Sequence, residues 1–371
     1  MSNVVLGLSI LGLPKTIQRP VRPLSPEARS WLLWLAVYVA FGMGSTLLSY
    51  DPVVSSGSLS SLFNLTAPLL GLMLIRSERH IRWVVRGVIL LGLALSVVGL
   101  VQYGLGQDDL THRIRASLSH YMTFAGVLLL SDCLLLAWMI FGRGKKPWWG
   151  WLGLVTINLA LLGSYTRNAW VGLVVALTLL LWVRKPRLLW SYLPVGVLLA
   201  FLLPQPMVER VASIADVRDP ANYDRLCMTH AGLSMIAERP VFGLGPGMVS
   251  QRYAIYRHPT APRSWVPHLH NSYMNIAAER GLVSLFAFVG LILASLLTAK
   301  RRLNQEGGKE GPRADLYLGV LAAILAFSVA GFFEDNWADT EVQRVFLFVL
   351  ILPFLPAPAT TLEAAEERPV V

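Results

Sequence analysis

Ten stretches of this chain are too apolar to be surface segments of a soluble protein: Trp31–Ser49, Leu59–Ile75, Trp83–Tyr103, Leu118–Phe141, Trp148–Ser164, Ala169–Val183, Leu188–Leu203, Gly281–Ala299, Leu316–Phe333 and Val342–Leu355. A helix needs roughly 17–25 mostly apolar residues to cross a bilayer. Inside lipid, only helices and closed barrels satisfy their own backbone groups. The chain shows no strand pattern and only 15% charged residues, against about 25% in soluble domains. These features predict an all-α polytopic membrane protein with about ten transmembrane helices. Ala169–Val183, Leu188–Leu203 and Val342–Leu355 are the shortest of the ten.

Charge sets the expected orientation. With the N-terminus in the cytoplasm, the inner segments hold 20 of the 32 Lys and Arg residues, including every lysine. The 12 on the outer side are all arginine. Short inner loops rich in Lys and Arg are the positive-inside pattern, so the net charge of +10 reflects topology and not a nucleic-acid partner. Six of the seven histidines, all but His80, then lie outside. The expected division is a cytoplasmic segment over 1–30, helices over 31–203, and one large periplasmic loop with short helices over 204–275. Further helices cover 276–356, and a cytoplasmic tail covers 357–371. Val4–Leu13 is apolar but too short to span, and no cleavable signal is expected. Cys133 lies in an apolar run and Cys227 in the polar loop, so no disulfide is expected.

The long polar stretch from Gln205 to Gly281 carries Arg210, Arg218, Arg225, Arg239, Arg252, Arg257, Arg263 and Arg280 without one lysine. Arginine makes planar, forked contacts to phosphate oxygens, where lysine offers a point charge. His230, His258, His268 and His270 sit among them, and histidine exchanges protons near neutral pH. An anionic, phosphorylated ligand and a proton-transfer step are therefore expected. Asp219-Pro220 reads as a helix N-cap and first position, Pro240 as its end, and Gly243, Gly245 and Gly247 around Pro246 as a tight turn.

Each candidate residue has a plainer reading. His270-Asn271, followed nine residues later by Gly281, stands where the polar loop re-enters the membrane, with Glu279 and Arg280 at its mouth. These residues either serve a reaction, as costly ionisable groups at membrane depth usually do, or cap a helix and pair at the interface. Arg225 lies early in the Asp219-capped helix, where backbone amides favour an anion; the alternative is a salt bridge to Asp224 or Glu238. Arg167 is either a ligand-binding group or a snorkelling anchor, and its outer position runs against the positive-inside preference. Arg113 and Arg115 share that oddity. Glu334, Asp335, Asp339 and Glu341 cluster at the last outer turn, with no spacing that fixes a metal geometry. Asp132, a carboxylate inside the fourth apolar run, either binds a proton or is a protonated partner for a neighbour such as Asn158, the plainer reading. Phosphate-cradling glycine motifs, zinc spacings and serine nucleophile elbows are lacking.

Three segments carry a family resemblance: Ser164-Tyr-Thr-Arg-Asn-Ala-Trp-Val-Gly172, Asp224-Arg-Leu226 leading to Glu238-Arg-Pro-Val-Phe-Gly-Leu-Gly-Pro-Gly247, and His270-Asn271 with Gly281. Phe333-Glu-Asp-Asn336 is a weaker fourth piece. In this order and spacing they resemble the O-antigen ligase and polymerase superfamily of bacterial membrane glycosyltransferases. The resemblance implies an inner-membrane enzyme whose site faces the periplasm. Its donor would be a polyprenyl-diphosphate-linked glycan and its acceptor a lipid A–core sugar or another glycan, with no metal and no cofactor. It matches the family's essential histidine to His270 and its motif arginines to Arg167 and Arg225. Arg280 is a further diphosphate candidate, and Asn271, Glu279, Arg113, Arg115 and Glu334 are secondary ones. Membrane lipids are the remaining expected partner. Ligase and polymerase share this chemistry, and a transporter of an anionic or lipid-linked solute is the reading from another class.

Overall fold

The computed structural model describes residues 24–106, 113–202, 204–214, 216 and 218–356. Helices and the turns and loops that join them make up the described residues, which contain no strand. The parts of segments 1–30 and 357–371 beyond these bounds, and the apolar run Val4–Leu13, lie outside the described residues.

A helix forms at each of the ten apolar runs: α1 (Pro26–Leu47), α2 (Pro52–Leu74, built of short pieces), α3 (Glu78–Gly104), α4 (Tyr121–Phe141), α5 (Trp148–Gly163), α6 (Arg167–Arg184) and α7 (Pro186–Leu202). After three helices of the polar loop, α8 (Gln205–Ala212), α9 (Pro220–Glu238) and α10 (Met248–Tyr256), come α11 (Ser272–Gln305), α12 (Ala314–Ala330) and α13 (Thr340–Ile351). Six of these, α1 to α4, α6 and α11, are long and apolar enough to cross a membrane. The others are shorter; α5 ends with its apolar run at Ser164, and α12 stops at Gly331, short of Phe333.

The bundle centres on α4, apolar on every side and buried along almost its whole length. A helix without a polar face has to be enclosed. Helices α3, α5, α6, α12 and α13 enclose it, while α1 lies along α11. Asp132 of α4 meets Asn158 of α5, whose Nδ2 donates to both carboxylate oxygens at 3.3 and 3.1 Å, in line with the structural reading. Small residues permit the closest approaches: a Cβ on Gly172 of α6 would stand 2.8 Å from the Ala326 carbonyl of α12. Both cysteines are free and buried.

The polar loop folds on one end of this bundle around its own small core of Met228, Met235, Leu244, Val249, Tyr253 and Leu269. Asp219 caps α9 as the sequence predicts, accepting from Ala221 N and Asn222 N, and the helix stops just before Pro240. The glycine turn follows and wraps the kink in α11. There Gly281 takes φ 82°, and a Cβ would fall 1.9 Å from the Val241 carbonyl, so only glycine fits. Leu282 N donates to Pro240 O at 2.7 Å across the same junction.

Candidate active site

The loop after α12 is stitched to the start of α11. Asn271 caps α11 through Met274 N, and its Nδ2 donates to Phe332 O at 3.1 Å. Ser272 N donates to Gly331 O at 2.8 Å, and Ser272 Oγ to Glu334 O at 3.1 Å. These bonds bring Glu334, which is buried, against His270. The His270 Nδ1 lies 2.9 Å from both Glu334 carboxylate oxygens. His270 itself sits at φ 48°, the left-handed region that costs a non-glycine residue free energy and is held only by surrounding contacts.

Burial alone would raise the Glu334 carboxyl. The hydrogen bond from His270 and the nearby His270, His268 and Arg225 outweigh it and hold the group below its ordinary range. Glu334 therefore stays ionised and accepts the His270 Nδ1 proton, which leaves Nε2 as the basic nitrogen. His268 lies beside this pair, its Nε2 3.7 Å from Glu334. Burial lowers it to about 4, so it is neutral at pH 7.

His268, His270 and Glu334 are close enough together to hold a metal ion. Their hydrogen bonds speak for another use. His270 N–H donates to His268 Nδ1 at 3.3 Å, so neutral His268 keeps its proton on Nε2, the nitrogen that faces Glu334. His270 Nδ1 spends its proton on the same carboxylate. A metal would have to displace both protons, and the donor set fits proton sharing better.

Beside this trio is a pocket lined by Arg113, Arg167, Arg210 and Arg225 together with Tyr121 and Phe333. Arg225, in the early turns of α9, donates from Nε to Phe333 O at 3.1 Å, one residue from Glu334. The salt bridges offered as its plainer reading are taken by others: Asp224 pairs with Arg263, and Glu238 with Tyr50 and Tyr256. Arg167 does not snorkel. It is buried at the start of α6 and donates to Ser213 O, Ser213 Oγ and Asp219 Oδ1 at 3.1, 2.8 and 3.3 Å.

Sequence reasoning passed over Arg210 as a site residue. Its Nε is buried with no hydrogen-bond partner among the described residues. Burial, then the Arg167 and Arg113 charges, lower its guanidinium from the ordinary value, and burial likewise lowers Arg225. Four guanidinium groups around one pocket repel one another, and an anion between them relieves the repulsion.

The remaining candidates lie elsewhere. Arg115 donates to Ser119 O at 3.4 Å and does not line the pocket. Glu279 accepts from Gly247 N and Val249 N at 3.0 and 3.4 Å, bracing the glycine turn. Arg280 lies over the Tyr38 ring of α1, 5.8 Å from its centroid. Asp335 and Asp339 flank Glu334 and the start of α13 without joining the His270 cluster.

No curated protein matches the chain. Residues 152–289 match the family model described as O-Antigen ligase; this span runs from α5 to the kinked helix α11 and takes in Arg167, Arg225 and His270, while Glu334 lies beyond it. Together with its apolar helices, that match supports placing this multi-pass membrane protein in the O-antigen ligase and polymerase superfamily.

Proposed function

We propose that the protein is an inverting glycosyltransferase of the ligase type. It moves a glycan from a polyprenyl-diphosphate carrier to a hydroxyl of lipid A–core, at the periplasmic face of the bacterial inner membrane. One observation carries the reading: the His270–Glu334 pair shares the Phe333-Glu334 segment with a pocket of four arginines. The pocket suits a diphosphate, with Arg167 and Arg225 as its principal ligands and Arg113 and Arg210 beside them. The acceptor oxygen attacks the anomeric carbon, and the bond from that carbon to the phosphate oxygen breaks. The bonding pair leaves on the diphosphate, whose growing charge the guanidinium groups stabilise. His270 Nε2 takes the acceptor proton, and the Glu334 carboxylate steadies the imidazolium that results. One displacement inverts the anomeric centre, and the diphosphate leaving group makes ATP unnecessary.

Purified protein in lipid, given a polyprenyl-diphosphate glycan and lipid A–core but no nucleotide, should release polyprenyl diphosphate and form the glycan conjugate. Solute flux in liposomes with no transfer under any lipid condition would replace this reading by a transporter. Deleting the gene separates ligase from polymerase: long glycans stranded on the carrier mark a ligase, and single repeat units a polymerase.

A further inference from the structure

At the end of the bundle away from His270, the structure holds a second and larger cavity, of about 510 Å³, between α3, α4, α12 and the start of α5. Its walls are apolar, formed in part by Leu90, Leu134, Trp149 and Leu316. Leu90 is 59% exposed and Trp149 45% exposed, so the cavity reaches the outer surface of the bundle beside these two apolar side chains, where the helices face lipid. Trp149 stacks on Trp138 at 5.2 Å between ring centroids. Paired tryptophans of this kind mark the depth of the lipid headgroups.

The rim is basic. Arg82 is neutralised by Asp315 and Glu78, at 2.6 and 2.7 Å. Arg86 and Arg143 also line the cavity, and neither pairs with a carboxylate among the described residues. Among the described residues, Arg143 donates only to the Glu310 carbonyl, at 3.3 Å. Two unneutralised guanidinium groups therefore stand over an apolar crevice open to the bilayer. That combination complements an anionic headgroup carrying acyl chains. A zwitterionic lipid would leave one of its charges unmatched, and a soluble anion would leave the crevice empty.

We infer that this cavity binds an anionic phospholipid, with its phosphate between Arg86 and Arg143 and an acyl chain along Leu90 and Trp149. The lipid contact stands on this geometry alone. With the orientation given under Proposed function, on which only this point rests, the lipid belongs to the cytoplasmic leaflet.

The test is selective lipid retention. Protein reconstituted in vesicles of equal phosphatidylglycerol and phosphatidylethanolamine is re-extracted in mild detergent, and its bound lipid is counted by native mass spectrometry. Phosphatidylglycerol should be enriched. The double substitution Arg86→Gln with Arg143→Gln should weaken retention roughly 30-fold, at about 1 kcal/mol for each arginine. Arg79→Gln with Arg187→Gln removes the same charge from exposed positions of the same end and should change nothing. Leu90→Trp fills the crevice with all charges kept and should also abolish retention. Glycerol phosphate at millimolar concentration should not displace the lipid. Equal retention of both lipids by the unaltered protein would overturn the inference, as would equal loss in both arginine double variants or displacement by glycerol phosphate. None of these readouts depends on glycan transfer, so the inference and the proposed activity can fail separately.

Discussion

His270 Nδ1 stands 2.9 Å from both carboxylate oxygens of Glu334, across 64 residues of chain. The carboxylate fixes which imidazole nitrogen carries the proton, and it offsets the charge the ring gains in the reaction. Glu334→Gln keeps the side-chain shape but removes the charge. Under the proposed mechanism kcat should fall by about 10²-fold, within the range of general-base effects. The KM for the lipid-linked donor should hold, because Glu334 does not line the arginine pocket. A raised KM with unchanged kcat would place Glu334 in donor binding and remove it from the proton transfer.

Arg225 spends its Nε on the Phe333 carbonyl, which leaves its two terminal nitrogens for the pocket. Arg225→Lys cannot both hold that carbonyl and make a forked phosphate contact. Charged hydrogen bonds contribute roughly 1.5–3 kcal/mol, so donor binding should weaken by about tenfold or more. Equilibrium binding of a polyprenyl diphosphate checks this directly, and full affinity in the lysine variant would remove Arg225 from the donor site.

Much of the site was readable because its signals are local. The Asp219 cap, the Pro240 stop, the glycine turn and the outer arginines lie within a few residues of the elements they shape. The pairing of His270 with Glu334 was not readable: it depends on how the ends of α11 and α12 meet, and hydrogen bonds from Asn271 and Ser272 across that gap decide it. Arg210 looked like any of the eight arginines in the loop, because only the packing of α8 against Arg167 and Arg113 sets it apart. Arg280 illustrates the reverse. Its place at the mouth of the helix that His270-Asn271 begins suggested a ligand, yet the side chain lies over Tyr38.

Burial raises the Asp339 carboxyl to about 7, with the neighbouring carboxylates of Glu334, Asp335 and Glu341 adding to the rise against the Thr123 hydrogen bond. The folded protein therefore keeps a proton that the unfolded chain gives up near the ordinary value of about 3.9. The stability linked to that proton is full below about pH 4 and is lost as pH rises toward 7. Asp339→Asn removes the penalty and keeps a partner for Thr123. Its melting temperature in detergent should exceed that of the unaltered protein by a few degrees at pH 8 and match it at pH 4. The opposite order would show that the charge itself is needed there.

The orientation can be tested on a background of two buried cysteines. Cysteine introduced at Gln251, exposed in α10, should react with a membrane-impermeant thiol reagent in cells whose outer membrane is permeabilised. Cysteine at Gln305, exposed at the other end of the bundle, should not. Reversed labelling would turn the arginine pocket toward the cytoplasm and remove the proposed donor from reach.

His270 is the proposed general base, and His268, two residues away, supplies the control. Both imidazoles face Glu334, but burial holds His268 near 4 and its Nδ1 accepts the His270 amide, so it is placed to support the loop and not to take a proton. The decisive measurement is the single-turnover rate of glycan transfer in lipid for His270→Ala and His268→Ala, with donor binding measured on the same samples. His270→Ala should lose about 10²–10⁴-fold in rate and bind donor normally, while His268→Ala stays within about tenfold of the unaltered protein. Full transfer by His270→Ala, or an inactive His268→Ala beside an active His270→Ala, would show that His270 is not the base.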